Sequence, residues 1–153
     1  MSGNLRLLGL DHGIRRIGVA LSDPSGLVAR ELCIIARQSK QEDFARLNAL
    51  AREHEARAFV VGVPHHDTPS GVHAQADTVR LWISRLAETT ALPIIEWDEQ
   101  LTSEDAKQLA RYLRRPAQAP IDDLAARLIL QSYLDALRDG LATFPLRGAP
   151  PTL

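Results

Sequence analysis

Hydrophobic and polar positions along the first quarter of the chain predict three consecutive strands. Two short apolar runs, at 5–10 and 17–21, are joined by a short linker that contains Gly13. Short apolar runs on either side of such a linker are typical of an antiparallel hairpin. The sequence Asp-Pro-Ser-Gly at 23–26 predicts a turn. A third apolar run follows at 28–36, so the hairpin is predicted to continue into a third strand.

The remaining pattern predicts helices alternating with strands. Apolar residues recur at helical spacing in four segments, which are 40–55, 71–89, 103–114 and 121–138. A continuous apolar run at 58–64 follows the first helix, as expected of a buried parallel strand, and 93–98 is predicted as a further strand after the second helix. The element order therefore predicts an α/β fold with a mixed sheet. Gly140 is expected to end the last helix.

Length and composition indicate a globular protein and exclude several classes. The chain has 153 residues, 45% hydrophobic and 24% charged, with a formal net charge of −1. We expect one domain over 1–140 and a loosely ordered, proline-containing tail over 141–153. No apolar stretch reaches the ~18 residues of a membrane span, and the N-terminus has no secretory signal. A single cysteine, Cys33, fits a reducing cytoplasm.

Acidic residues stand at the ends of three predicted elements. Asp11 ends the first strand, Asp98 and Glu99 follow the fifth, and Asp122 and Asp123 open the last helix. Ligands collect at the carboxyl ends of strands in open α/β sheets. Carboxylates gathered there would repel one another unless hard cations such as Mg²⁺ or Mn²⁺ lay between them. A structural role also fits each group, because acids suit turns and the first turn of a helix.

Four ordered motifs resemble those of the YqgF family in the RNase H-like superfamily. The segment DHGIRRIGVALSD at 11–23 resembles D-x-G-x-K/R-R-I-G-V-A-x-S-D, and VVGVP at 60–64 resembles V-V-G-L-P. DEQLTS at 98–103 resembles D-E-R-L-T-S/T, and 122–131 resembles D-x-x-A-A-x-x-I-L-Q. The match covers nearly the whole chain, from about Leu5 to Asp135. It implies an RNase H-like fold, with a five-stranded mixed sheet of order 3-2-1-4-5 and flanking helices.

The resemblance also implies an activity. Members of the family are regarded as cytoplasmic nucleases that hydrolyse phosphodiester bonds during 5′-end maturation of pre-16S rRNA. The expected partners are precursor rRNA or structured DNA, and ribosomal precursor particles, with the chain a monomer or homodimer. Two alternatives stay open, a Holliday junction resolvase and a non-catalytic nucleic-acid-binding scaffold. An actin-like ATPase is excluded, because such proteins need two domains of this kind.

The family's acidic positions fall on Asp11, Glu99 and Asp122. The resemblance makes these the catalytic residues and the ligands of two Mg²⁺ or Mn²⁺ ions, which is a common arrangement for phosphodiester hydrolysis. It leaves open whether Asp98 is a further metal ligand. Arginines on the hairpin and after the third predicted helix are expected to bind phosphates. They are Arg15, Arg16, Arg111, Arg114 and Arg115.

Two segments depart from the family pattern. Gln100 stands where the family motif has an arginine, and the segment 65–71 lacks the asparagine–aspartate–glycine character that is usual in the family. The second segment raises a rival idea, a zinc site, although no second ligand group has the usual spacing and a polar loop is favoured. The residues in question are His65, His66, Asp67 and His73.

Overall fold

Five strands and four helices make up the parts of the chain that the structure describes, residues 4–64, 72–99 and 103–145 of a computed structural model. The strands are β1 (Leu8–His12), β2 (Arg16–Ser22), β3 (Ala29–Ala36), β4 (Phe59–Pro64) and β5 (Ile94–Glu99). The helices are α1 (Lys40–Glu53), α2 (Val72–Ala87), α3 (Ser103–Tyr112) and α4 (Asp122–Arg138).

All five strands form one mixed sheet of order β3-β2-β1-β4-β5. The first three are antiparallel neighbours, whereas β4 pairs parallel with both β1 and β5. The α/β fold class and the sheet order expected from the sequence are therefore confirmed. The carboxyl ends of β1, β4 and β5 lie at one edge of the sheet, because these three strands are parallel.

Helices cover both faces of the sheet. On one face α1 and α2 enclose a core in which Phe44 and Trp82 pack against residues such as Leu10. On the other face α4 packs against the strands through residues such as Leu130, and α3 packs against α4. Each face buries its own apolar cluster, so the sheet is the central layer of three. None of the described helices is long and apolar enough to cross a membrane.

Helix α4 approaches the sheet closely because glycines lie beneath it. A Cβ added at Gly9 would lie 2.7 Å from the Cβ of Leu130, and one at Gly62 would lie 2.6 Å from Cδ1 of Ile129. A Cβ added at Gly18 would lie 1.8 Å from the backbone oxygen of Asp122. The first turn of α4 thus rests directly on the backbone of β2, and no larger side chain fits between them.

Several element boundaries differ from those predicted. Helix α1 ends at Glu53 rather than 55, and Glu55 adopts a positive φ of 55°. Helix α3 ends at Tyr112, two residues early, and Arg114 adopts a φ of 61°. Strand β5 extends one residue further than predicted and includes Glu99. Gly140, with a φ of 75°, follows the end of α4 as expected.

The first part of the predicted loose tail packs against the domain. The hydroxyl of Tyr133 donates to the carbonyl of Thr143 at 2.9 Å. Phe144 packs against the apolar cluster under α4, and the guanidinium of Arg57 lies 5.9 Å from the centre of its ring. Residues 141–145 are therefore held in place, whereas 146–153 lie outside the described residues.

The contact between β2 and α4 generates the first prediction. Gly18→Ala should lower the free energy of unfolding by about 1–3 kcal/mol, the usual cost of overpacking, because backbone must move to admit the methyl group. Urea denaturation measures this change. Gly62→Ala is the matched comparison and should cost less, since its methyl group would meet the Ile129 side chain at 2.6 Å, whereas that of Gly18→Ala would meet backbone at 1.8 Å. Equal stabilities of the Gly18→Ala protein and the wild type would contradict the proposed contact.

Candidate functional site

Three carboxylates from three separate elements line one cleft of about 610 Å³. Asp11 comes from β1, Glu99 is the last residue of β5, and Asp122 is the first residue of α4. These are the three positions that the sequence motifs singled out. Their place at the carboxyl-end edge of parallel strands is where ligands bind in open α/β sheets.

Strand alternation explains why Asp11 and Glu99 share a face. Side chains two residues apart point to the same side of a sheet. Asp11 therefore lies on the face of Gly9, which α4 covers. Glu99 lies on the face of Trp97, whose Nε1 donates to Oγ of Ser132 in α4 at 3.1 Å. Both carboxylates are thus directed to the α4 side of the sheet.

The same glycine contact brings Asp122 to this face. Gly18 is the register partner of Asp11 in the β1–β2 ladder. Gly18 also lies against the backbone of Asp122, since a Cβ added there would lie 1.8 Å from the backbone oxygen of Asp122. Asp11 and Asp122 are therefore both neighbours of Gly18, although they lie near opposite ends of the chain.

Burial and mutual repulsion shift the pKa values of two of these carboxyls. The pKa of Asp11 rises from 3.8 to about 7, first because the group is buried and then because the charges of Glu99 and Asp122 lie near it. The pKa of Glu99 is also raised, by burial. Repulsion from both other acids acts on Asp11, so the three carboxylates form one electrostatic unit. Perturbed carboxyls in a cleft mark a candidate functional site.

Asp98 lies apart from this unit. It alternates with Glu99 along β5 and therefore faces the opposite side of the sheet. Its neighbour on that side, Glu96, pairs with Nε of Arg80 in α2 at 3.0 Å. Asp98 itself is exposed and does not line the cleft. The structure thus brings Asp11, Glu99 and Asp122 together and leaves Asp98 out.

The chemistry of the cleft fits a hard divalent cation. Three carboxylates supply only oxygen ligands, which suit Mg²⁺ and Mn²⁺. A cation would also relieve the repulsion that raises the pKa of Asp11. Among the described residues, however, no three histidine, cysteine, aspartate or glutamate side chains are grouped closely enough to enclose an ion. The carboxylates share the cleft, but their oxygens do not converge on one point.

Arg16 engages one of the three acids directly. Its Nε donates to Oδ1 of Asp122 at 3.0 Å, and the two side chains are 46% and 19% exposed. Arg16 lines the cleft along with its partner. The sequence placed Arg16 among the phosphate-binding candidates but gave no reason to expect an ion pair with a candidate metal ligand.

Arg115 also lines the cleft, and it makes a bidentate ion pair there. Its two Nη atoms donate to the two carboxylate oxygens of Asp123, each at 2.8 Å, and Nη1 also donates to the carbonyl of Pro120. The side chain of Asp123 is only 9% exposed. Glu31 in β3 lies 3.7 Å from Arg115 and 3.0 Å from Arg127. This network holds the first turn of α4 and the loop before it in place, a role that the sequence did not reveal.

The remaining predicted arginines are exposed, and their surroundings differ. Arg111 lines the cleft and pairs with Glu104 at 3.0 Å. Lys107, one helical turn earlier, lines the cleft too and was missed by the sequence analysis, although spacing of four residues places it beside Arg111. Arg15 at the hairpin tip and Arg114 after α3 do not line the cleft. Binding of nucleic acid by these arginines stays a prediction.

Arg37 fixes the tip of the β1–β2 hairpin and was also missed. Its Nη1 donates to the carbonyls of Gly13 and Ile14, and its backbone N–H donates to the carbonyl of Arg15. Its Nε lies 3.7 Å from the buried carboxylate of Asp43 in α1. Arg37, the residue directly after β3, thus holds three successive carbonyls of the tip, two through its side chain and one through its backbone N–H.

Four residues of interest lie outside the described residues. They are Gln100, His65, His66 and Asp67. His73 falls within α2, but its side chain is not among those described. The effect of Gln100 and the nature of the histidine-containing segment therefore stay predictions.

Comparison with protein families identifies relatives along most of the chain. The model of the family RuvX, described as Holliday junction resolvase, matches residues 5–136. A protein of Thermoanaerobacter pseudethanolicus named "Putative pre-16S rRNA nuclease" is 38% identical over 139 residues, which cover 88% of this chain and 99% of that protein. A protein of the same name from Symbiobacterium thermophilum is 40% identical over 136 residues, covering 86% and 93%.

Comparison with solved structures supports the fold. RuvC of T. thermophilus, solved in complex with a Holliday junction substrate, aligns with a TM-score of 0.58 at 16% identity, over 90% of this chain and 97% of that one. The Fowlpox virus resolvase, solved with Holliday junction DNA, aligns with a TM-score of 0.53 at 11% identity, over 87% and 99%. At such low identities these likenesses establish the shared fold alone.

The raised pKa of Asp11 generates the second prediction. A carboxyl whose folded pKa exceeds its unfolded pKa binds its proton more tightly when folded, so wild-type stability should fall as the pH rises from about 4 to about 7. Asp11→Asn removes this loss. In EDTA at pH 8 the variant should be more stable than the wild type by on the order of 2–4 kcal/mol, and the difference should vanish near pH 4.

Urea denaturation at several pH values measures both differences. Asp98→Asn is the matched control, because that carboxylate is exposed and its removal should change stability little at either pH. A wild-type protein as stable as Asp11→Asn at pH 8 would show that neither burial nor the neighbouring acids destabilise the ionised carboxylate of Asp11.

Proposed function

The chain belongs to the RuvX family, and on that premise we propose that it is a divalent-metal-dependent nuclease that matures the 5′ end of pre-16S rRNA. The observation that carries the proposal is that Asp11, Glu99 and Asp122, from β1, β5 and α4, line the same cleft. The names of the relatives support the substrate class, and the family match supports phosphodiester hydrolysis.

The three acids would hold Mg²⁺ or Mn²⁺. Asp11 is the central member of the three, because the charges of both Glu99 and Asp122 act on its carboxyl group. Bound divalent ions supply an activated water and stabilise charge on the leaving oxygen in phosphodiester hydrolysis. The raised pKa of Asp11 means that its carboxyl must lose a proton before it can act as a ligand near neutral pH. Metal affinity should therefore increase as the pH rises through about 7.

Basic side chains around the acids would bind the phosphate backbone. Arg16, Lys107 and Arg111 line the same cleft as the three carboxylates. Arginine and lysine contacts to phosphate position a nucleic acid without reading its sequence. The formal net charge of −1 indicates that this attraction is local to the cleft rather than a property of the whole surface.

A branched DNA substrate is the second candidate. The description of the matching family names Holliday junction resolvases, and the fold is shared with two resolvases solved with junction DNA. We favour RNA because the relatives at about 40% identity carry the name of an rRNA nuclease, whereas the resolvases are at most 16% identical. Precursor ribosomal particles as the physiological partner, a cytoplasmic location and a monomeric or homodimeric state belong to the same proposal.

A non-catalytic scaffold is the weaker alternative. A protein that needed no cation would gain stability by losing one of the acids, since burial and repulsion raise the pKa of Asp11 to about 7. Retention of all three carboxylates in one cleft therefore favours a role that uses them.

Cleavage assays provide the third prediction. The purified protein should cleave an RNA that spans the 5′ end of pre-16S rRNA in the presence of Mg²⁺ or Mn²⁺, and EDTA should abolish the reaction. Asp11→Asn should slow cleavage by about a hundredfold or more, because metal-assisted hydrolysis depends on several kcal/mol of charge stabilisation. A four-way DNA junction and an unrelated single-stranded RNA serve as competing substrates.

Asp98→Asn is the matched control for this assay. It removes an acid adjacent to Glu99 but on the other face of β5, so cleavage should persist. Preferential cleavage of the junction would instead favour the branched-DNA function. Cleavage that is unaffected by both EDTA and Asp11→Asn would contradict a metal-dependent nuclease.

A further inference from the structure

The ion pair between Arg16 and Asp122 joins a candidate phosphate-binding residue to a candidate metal ligand, so neither group is entirely free for its expected ligand. Asp122 is a candidate metal ligand, and Arg16 is a candidate phosphate-binding residue. In the structure Arg16 donates instead to Oδ1 of Asp122, at 3.0 Å. A carboxylate oxygen that accepts from a guanidinium is a poorer ligand for a cation, because the two positive groups compete for the same lone pairs and repel each other.

The geometry of the pair leaves much of the guanidinium available. The contact uses Nε, and within the described part of the chain no hydrogen bond from the Nη atoms of Arg16 is found. A guanidinium has five N–H donors in a fork that matches phosphate. Since Arg16 lines the cleft, a phosphate in the cleft would find these donors within reach of the same side chain.

We propose that Arg16 couples metal binding to nucleic acid binding, holding Asp122 until a phosphate of the substrate takes over the guanidinium. The proposal rests on the proposed nuclease function and adds a regulation of the same site. Without nucleic acid, Arg16 competes with the cation for Asp122. With nucleic acid bound, Asp122 is released to the cation, so each ligand raises the affinity of the other, as thermodynamic linkage requires.

The open arrangement of the acids supports this account. The three carboxylates share one cleft, and the charges of Glu99 and Asp122 act on Asp11. Among the described residues, however, no three acidic side chains lie close enough together to enclose an ion. Of the three carboxylates, that of Asp122 is paired with Arg16. The backbone of Arg16 is fixed, since its carbonyl accepts from the N–H of Gly13 at 2.9 Å, so exchange would require movement of the side chain alone.

The ion pair between Arg115 and Asp123 is more buried and better aligned than that between Arg16 and Asp122. Arg115 and Asp123 make two parallel bonds of 2.8 Å, and their side chains are 23% and 9% exposed. Arg16 and Asp122 make one bond of 3.0 Å, and theirs are 46% and 19% exposed. Single, solvated ion pairs contribute little to stability, whereas buried bidentate pairs are costly to break. The Arg16 pair is therefore the exchangeable one.

The first arm of the test measures Mn²⁺ affinity by calorimetry without nucleic acid. Arg16→Gln should bind Mn²⁺ about three- to fivefold more tightly than the wild type, the upper part of the range for release of an exposed ion pair. Arg15→Gln is the matched control, because it removes the same charge from the same hairpin and, in the described chain, Arg15 makes no ion pair with Asp122. Its Mn²⁺ affinity should stay within about 1.5-fold of the wild type.

The second arm measures RNA affinity in EDTA, where no cleavage occurs. The probe is a fluorescent single-stranded RNA of about 20 nucleotides, long enough to cover a typical single-strand site. Asp122→Asn frees Arg16 and should raise RNA affinity more in the wild-type background than in the Arg16→Gln background. The gain in RNA affinity from Asp122→Asn should be about three- to fivefold larger in the wild-type background than in the Arg16→Gln background. Repulsion between Asp122 and the RNA does not affect this ratio, because the substitution removes it in both backgrounds.

The possible results separate this proposal from the proposed function. Equal or weaker Mn²⁺ binding by Arg16→Gln, or equal gains from Asp122→Asn in both backgrounds, would overturn the coupling and leave the nuclease function intact. A wild-type protein that binds neither Mn²⁺ nor RNA would overturn the proposed function itself. Circular dichroism of each variant establishes that its fold is retained before affinities are compared.

Discussion

The close packing of α4 on the glycines of the sheet is the constraint on which the site depends. A Cβ at Gly18 would lie 1.8 Å from the backbone oxygen of Asp122, so the helix begins where it does only because β2 has no side chain there. Gly9 and Gly62 permit the same approach further along the helix. Asp122 reaches the cleft through this contact, whereas Asp11 and Glu99 reach it by strand alternation.

Gathering acids at one place has an electrostatic cost that the surrounding bases reduce. Burial, together with the charges of Glu99 and Asp122, raises the pKa of Asp11 to about 7, and Arg16 pairs with Asp122. The pair of Arg115 with Asp123 has a different effect, because it secures the first turn of α4, where Arg115 forms part of the wall of the cleft. One arginine thus pairs with a carboxylate that lines the cleft, and another pairs with the next residue of the same helix. The two adjacent aspartates therefore differ in their partners, because Asp122 pairs with Arg16 and Asp123 pairs with Arg115.

The sequence was sufficient for the order of the strands and helices and for singling out three acids as candidates, but it was insufficient for the ion pairs. The apolar runs and the glycine-containing linker predict the hairpin because local pattern determines it. The choice between Asp98 and Glu99 depended on the family motif, and strand alternation in β5 now gives its physical reason. The pair of Arg16 with Asp122 spans 106 positions, so no local rule could predict it. The predicted end of α3 missed by two residues, because Arg114 adopts a left-handed conformation that helical spacing does not reveal.

The most direct test of the account is the location of manganese in crystals of the protein grown with Mn²⁺ and a short RNA, found from anomalous scattering. The account predicts manganese in the cleft, with carboxylate oxygens of Asp11, Glu99 and Asp122 among its ligands at roughly 2.0–2.3 Å, the distance range for small divalent cations. It also predicts that Arg16 contacts a phosphate in these crystals rather than Asp122. Manganese bound elsewhere, with the cleft carboxylates uninvolved, would contradict a metal-dependent site built from these three acids.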